Sequence, residues 1–174
     1  MSKSLNLRIR PMNENDPVYF SAEECKQGWH SSPDKLNERL QHEKSGLCRT
    51  FVAELDGVGA GYVSLYFKPA NGPFAEQGIP EIVDFNVLQK FQRQGIGSRL
   101  MDACEEAAAS LCDRICLGVG LHAGYGTAQR MYVKRGYIPD GSGVWYGDHV
   151  CEPYTACEND DDLVLYMSKK LKHD

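Results

Sequence analysis

Glu81-Ile82-Val83-Asp84-Phe85-Asn86-Val87-Leu88 leads, three residues later, into Gln92-Arg93-Gln94-Gly95-Ile96-Gly97. The first stretch is apolar and rich in β-formers, which reads as a strand. From Gly97 to Cys112, Leu100, Met101, Cys104, Ala107, Ala108 and Leu111 fall on one stripe, with Arg99, Asp102, Glu105 and Glu106 opposite. That is the pattern of an amphipathic helix. A strand therefore enters a helix through a glycine turn. Glycines without β-carbons let a ligand approach the backbone, and the first amides of a helix have no internal partners. Those amides and the positive end of the helix dipole suit a phosphate or pyrophosphate. A Walker loop would need Lys after its last glycine, and a dinucleotide fingerprint would need glycine where Leu100 stands. Taken in isolation, a GxG turn is more often the plain start of a helix, where glycine eases a tight turn.

Outward from this turn, the chain alternates strands and helices. Leu5 to Arg10 alternates apolar and polar residues and predicts a half-buried strand. Asn15-Asp16 precedes a polar stretch to about Trp29, read as a helix with a loop around it. Ser32-Pro33-Asp34 caps a second helix, Lys35 to Lys44. Arg49 to Leu55 and Gly59 to Phe67 read as strands joined at the hairpin signal Asp56-Gly57. Pro69 to Pro80 reads as a loop, Arg114 to Val119 as a strand, and Thr127 to Arg135 as a helix ended by Gly136. Gly141 to Asp162 reads as a loop, and Leu163 to Ser168 as a last strand. No repeat or linker divides the chain, so residues 1–174 are expected to make one α/β (α+β) domain on a mixed sheet.

Composition narrows the function. The 174 residues carry a net charge of −5, against the clustered Lys and Arg that nucleic-acid backbones demand. The apolar stretches are strand-sized, so no membrane span is expected. The N-terminus, MSKSLNLRIRP, lacks the continuous apolar core of a signal peptide. Seven cysteines, an odd number with no CxxC, read as reduced thiols of a cytoplasmic protein. The five histidines share no metal-ligand spacing with them, so no metal is expected. Cys151 and Cys157 stand apart as candidates for oxidation.

Gln92-x-x-Gly95-x-Gly97 after a strand resembles the acetyl-CoA pyrophosphate turn of the GNAT superfamily of N-acetyltransferases. Downstream, Ala128-Gln129-Arg130-Met131-Tyr132-Val133-Lys134-Arg135-Gly136-Tyr137 is similar to the second signature of that family. The resemblance covers about residues 5 to 170. Two positions depart from the pattern: Tyr125 stands where an asparagine usually opens the second signature, and Gln89 where a proline commonly follows the binding strand.

The resemblance implies a mixed, mostly antiparallel central sheet, flanked by helices and splayed at the acetyl-CoA site. It implies acetyl-CoA as co-substrate and a small-molecule or peptide amine as acceptor, attacking the thioester directly in a ternary complex. It also admits a homodimer. Arg93, Gln94, Gly95, Ile96, Gly97 and Ser98 would offer pyrophosphate amides beside Gln92. Val87 and Leu88 would offer backbone groups to the pantetheine arm, with Tyr125 and Ala128 alongside. Tyr132 would act as general acid toward the leaving thiolate, since a phenol is close to a thiolate in basicity. Glu81 would be the general base, with Asp84 second. Along a regular strand these two carboxylates face opposite sides. Without a working acid and base, the same fold would serve as a non-catalytic acyl-CoA-binding module. Acid and aromatic residues from Gly143 to Glu158 suit a cationic amine as well as they suit a solvated hairpin.

Overall fold

A computed structural model describes residues 6–171; Leu5, the expected start of the first strand, lies outside the described residues. Eight strands and four α-helices follow in chain order: β1 (Leu7–Pro11), α1 (Asp16–Lys26), α2 (Asp34–Lys44), β2 (Cys48–Leu55), β3 (Val58–Tyr66), β4 (Glu81–Val87), α3 (Ile96–Ala109), β5 (Arg114–Gly120), α4 (Gly126–Lys134), β6 (Ile138–Tyr146), β7 (His149–Val150) and β8 (Leu163–Lys170). The sheet runs β1-β2-β3-β4-β5-β8-β6-β7. The β1–β2, β2–β3, β5–β8, β6–β8 and β6–β7 pairs are antiparallel, and β4–β5 is parallel. Among the described residues, no helix is long and apolar enough to cross a membrane.

The chain divides into two compact units. Among the described residues, one comprises 6–66 and 83–107, the other 67–82 and 108–171. β4 contributes Glu81 and Ile82 to the second unit and its remaining residues to the first.

In the first unit, β2 and β3 form a hairpin whose two turn residues, Asp56 and Gly57, both have positive φ (50° and 85°). That geometry matches the right-handed twist of paired strands, which is why Asp-Gly signals a hairpin. Met12, Phe20, Leu36, Val52, Tyr62 and Leu88 form the core. α1 starts with Pro17 in its first turn, where its missing N–H costs no hydrogen bond. Buried Asp16 receives both terminal nitrogens of Arg10, at 2.7 and 2.8 Å, and the Asn13 N–H at 2.7 Å. α2 begins one residue earlier than expected, and no side chain caps it. The Ser32 hydroxyl instead bonds the Asp34 N–H at 3.3 Å, inside the first turn.

α3 buries Leu100, Met101, Cys104 and Ala108 completely, as its stripe predicts. It ends at Ala109, however, so Leu111 lies beyond it and is exposed.

In the second unit, Phe74, Ile79, Cys116 and Tyr166 make the core, with Trp145 and Val164 packed against it. Gly136 (φ 91°) terminates α4 in the left-handed conformation. The expected loop from Gly141 to Asp162 is strand over 141–146 and 149–150. β6 runs to Tyr146 and turns through Gly147 (φ 60°) into β7. The β6–β8 register shifts between Pro139 and Val144, around Gly141 and Gly143 at φ 88° and 89°. This irregularity breaks the two-residue alternation by which a strand is recognised.

Candidate functional site

The glycine turn lies wholly within the first unit. β4 pairs with β5 through Glu81–Cys116 and Ile82–Leu117. At Asp84 the backbone enters the left-handed region (φ 53°), where a non-glycine residue is uncommon. This left-handed residue departs from the regular strand geometry on which the expected opposition of Glu81 and Asp84 rests.

β4 then approaches β3 closely. A β-carbon on Gly61 would meet the Asn86 carbonyl oxygen at 2.5 Å, so only glycine fits there. The strand ends against the Ala60 carbonyl, which accepts the Leu88 N–H at 2.9 Å. The Leu88 carbonyl accepts the Phe91 N–H at 2.8 Å, so both backbone groups of Leu88 are engaged inside the protein. The Val87 carbonyl accepts from the Gln92 side-chain amide at 3.1 Å, which ties Gln92 to the end of the strand.

Arg93 (φ 61°) and Gly95 (φ 78°) then turn the chain into α3. A β-carbon on Gly95 would meet nothing within 4 Å; glycine is needed there for its dihedral, not for space. Ile96 is buried and anchors the first turn. Gln92, Arg93, Gln94, Gly95 and Ser98 are exposed, and Gly97 is half-buried. The Arg99 N–H makes the first helical bond, to Gly95 at 3.2 Å. The amides from Gly95 to Ser98 thus precede the ladder, where a helix presents donors outward.

A buried polar cluster stands beside this strand. Glu24, 5% exposed, accepts hydrogen bonds from the Tyr62 hydroxyl (2.5 Å), the Asn86 side-chain amide (2.6 Å) and the Ser31 hydroxyl (2.5 Å). Burial drives the Tyr62 phenol far above its ordinary range, and the Glu24 carboxylate adds to the shift. Asp84 is held by Arg39 at 2.6 Å and by Lys35 at 3.6 Å. The Arg39 guanidinium also donates to the Tyr66 hydroxyl at 2.8 Å, and His42 Nδ1 lies 2.6 Å from that hydroxyl. Burial pushes the Tyr66 phenol up to about 12. No sequence spacing announces these contacts, because Arg39 and Asp84 lie 45 residues apart and Glu24 and Asn86 lie 62 apart.

The second unit holds the other candidates. Glu81 is half-buried, in register with Cys116, and burial raises its carboxyl to about 7. Such a group is part-ionised at neutral pH, where a general base is most effective. Tyr132 is buried in α4, its ring 5.9 Å from that of Tyr137. Its carbonyl accepts the Tyr137 N–H at 3.0 Å, which fixes the end of the helix. Ala128 is half-buried on the same helix. Tyr125 donates its hydroxyl to Asp161 at 2.8 Å, and His122 Nε2 reaches the same carboxylate at 3.0 Å. Burial, then the Asp161 carboxylate, raises the Tyr125 phenol to about 12. The Tyr125 ring packs against Gly120, where a β-carbon would meet it at 2.3 Å. Among the described residues, no group of three or more His, Cys, Asp or Glu side chains is placed to hold a metal ion.

Three solved structures are similar in fold. A GNAT-family protein from Desulfovibrio desulfuricans has a TM-score of 0.71 at 15% identity, covering 96% of this chain and 100% of the other. The protein yncA of Salmonella typhimurium, solved with its cofactor acetyl-CoA, has a TM-score of 0.66 at 15% identity, covering 97% and 95%. Ribosomal-protein-alanine N-acetyltransferase of Brucella melitensis has a TM-score of 0.67 at 19% identity, covering 94% and 99%. No curated protein matches the chain in sequence. The model of the acetyltransferase (GNAT) family matches residues 13–137. That span reaches from just before α1 to just past α4 and includes the whole strand, turn and helix of 81–109, and by this match the chain belongs to the GNAT family of acetyltransferases.

Proposed function

We propose that the chain is an acetyl-CoA-dependent N-acetyltransferase of the cytoplasm, working as one catalytic domain on a primary amine. The turn at Gln92–Ser98 carries this reading. Two residues with positive φ, Arg93 and Gly95, turn the chain from the end of a strand into a helix whose first amides precede its hydrogen-bond ladder. A diphosphate would take those amides as donors.

The chemistry asks little of the protein. A neutral amine attacks the thioester carbonyl carbon, the tetrahedral intermediate collapses, and the C–S bond breaks. One proton leaves the amine nitrogen and one reaches the coenzyme A sulfur. Glu81, raised to about 7 by burial, is suited to the first transfer. Asp84 is less suited, since Arg39 and Lys35 already neutralise it. Tyr132 is proposed to deliver the second proton.

The test is a thiol-release assay with acetyl-CoA across a panel of amines: small amines, polyamines, amino acids and peptide N-termini. Acceptor-dependent thiol release, with the acetyl group found on the amine by mass, supports the proposal. A raised melting temperature with coenzyme A but no transfer to any amine would mark a non-catalytic binding module. No binding would overturn both readings.

A further inference from the structure

We propose that Cys151 and Cys157 are a redox pair, which closes to an intramolecular disulfide on reaction with a low-molecular-weight disulfide such as glutathione disulfide. The local backbone builds the pair. The Cys151 N–H bonds the Val144 carbonyl at 2.7 Å, which pins this cysteine beside β6. Glu152-Pro153-Tyr154-Thr155 then reverses the chain. The Thr155 N–H bonds the Glu152 carbonyl at 3.3 Å, and the Thr155 hydroxyl reaches the same oxygen at 2.6 Å. Proline in the second position and positive φ (66°) in the third, at Tyr154, are the marks of a type II turn. The reversal returns the chain so that Cys151 and Cys157 line the same cavity.

Both cysteines line this cavity of about 450 Å³, together with Tyr146, His149, Glu152 and Glu158. Disulfides demand specific side-chain dihedrals, and open space lets the sulfurs reach them without displacing packed atoms. Access differs between the two thiols. Cys157 is exposed and Cys151 is half-buried. Burial pushes the Cys151 thiol up, and the neighbouring Cys157 sulfur pushes it further. Cys104 and Cys116, by contrast, are sealed in the core.

The accessible Cys157 therefore reacts first. Its thiolate attacks one sulfur of glutathione disulfide, that S–S bond breaks, and one glutathione leaves. Cys151 gives its proton to solvent and attacks the Cys157 sulfur of the mixed disulfide, and the second glutathione leaves. Two protein thiols are oxidised, and one glutathione disulfide is reduced to two glutathiones. The new ring tightens the segment ahead of the acidic run Glu158–Asp162. In that run, Asp160 accepts the Tyr146 hydroxyl at 2.8 Å and Asp161 accepts that of Tyr125. This inference is independent of the acetyl-transfer reading.

The experiment treats the native protein with excess glutathione disulfide, blocks residual thiols and maps the peptides. Trypsin releases residues 136–169 as one peptide holding both cysteines. The expected peptide lacks two hydrogens and carries no glutathione. Chymotryptic cleavage after Tyr154 leaves its halves joined until a reductant is added. Cys151→Ser should stop at the first step, with one glutathione retained on Cys157. A native peptide that carries one or two glutathiones, stays fully reduced, or is linked to any other cysteine overturns the proposal.

Discussion

Replacing Glu81 by Gln tests stability and chemistry together. Burial raises the Glu81 carboxyl from 4.5 to about 7, and this difference corresponds to about 3 kcal/mol between its two protonation states. Below pH 4.5 the carboxyl is protonated in both folded and unfolded chains and contributes no pH dependence. Between 4.5 and about 7 the unfolded chain releases the proton while the folded chain keeps it, so stability falls as pH rises. Above 7 the ionised, half-buried carboxylate carries the whole penalty. Glu81→Gln removes the titration. The variant should match the parent near pH 4.5 and exceed it by up to about 3 kcal/mol at pH 8. For a chain of this length that is a melting-temperature gain of roughly 6–12 °C. Thermal unfolding of both proteins across pH 4.5 to 8.5 measures it. If Glu81 is also the general base, kcat/KM of the parent should rise with pH through about 7. The variant should lose that limb and fall about 100-fold or more. A stability difference that does not change with pH would refute the burial argument. A pH-dependent stability difference with full activity retained would leave Glu81 buried but not catalytic.

Other expectations follow from single contacts. Tyr132→Phe removes only a hydroxyl and should lower turnover about 100-fold with acetyl-CoA affinity nearly unchanged; steady-state kinetics with titration calorimetry separates the two. Gly95→Val forces a β-branched residue to φ 78°, and should weaken coenzyme A binding, read by calorimetry, while circular dichroism shows the fold retained. Gly61→Ala drives a β-carbon to 2.5 Å from the Asn86 carbonyl oxygen, and should cost about 1–3 kcal/mol in denaturant unfolding. Tyr62→Phe leaves Glu24 with one fewer charge-assisted hydrogen bond, and should cost about 2 kcal/mol by the same measurement.

The sequence by itself determined whatever depends on neighbours within a few residues. Asp56-Gly57 names its hairpin because the required positive φ values belong to those two residues. The α3 stripe is legible because its burial repeats with the helical period. The strand, turn and helix of 81–109 are legible for the same reason, and they carry the family resemblance. The β6 strand is not, since Gly141, Gly143 and the register shift erase its alternation. Leu111 shows the same limit at a helix end: the periodicity continues past Ala109, but the helix does not.

Tertiary structure decided what each candidate residue can do. Glu81 and Asp84 are both strand carboxylates in the sequence. Burial sets the first near neutrality, and Arg39, 45 residues away in the chain, neutralises the second. Leu88 reads in the sequence as a source of backbone groups, and only the fold shows that its N–H bonds the Ala60 carbonyl. A hydrogen bond or an ion pair depends on ångström-scale approach between elements distant in the chain. That approach is fixed by packing of the whole core, and no local pattern of residues encodes it.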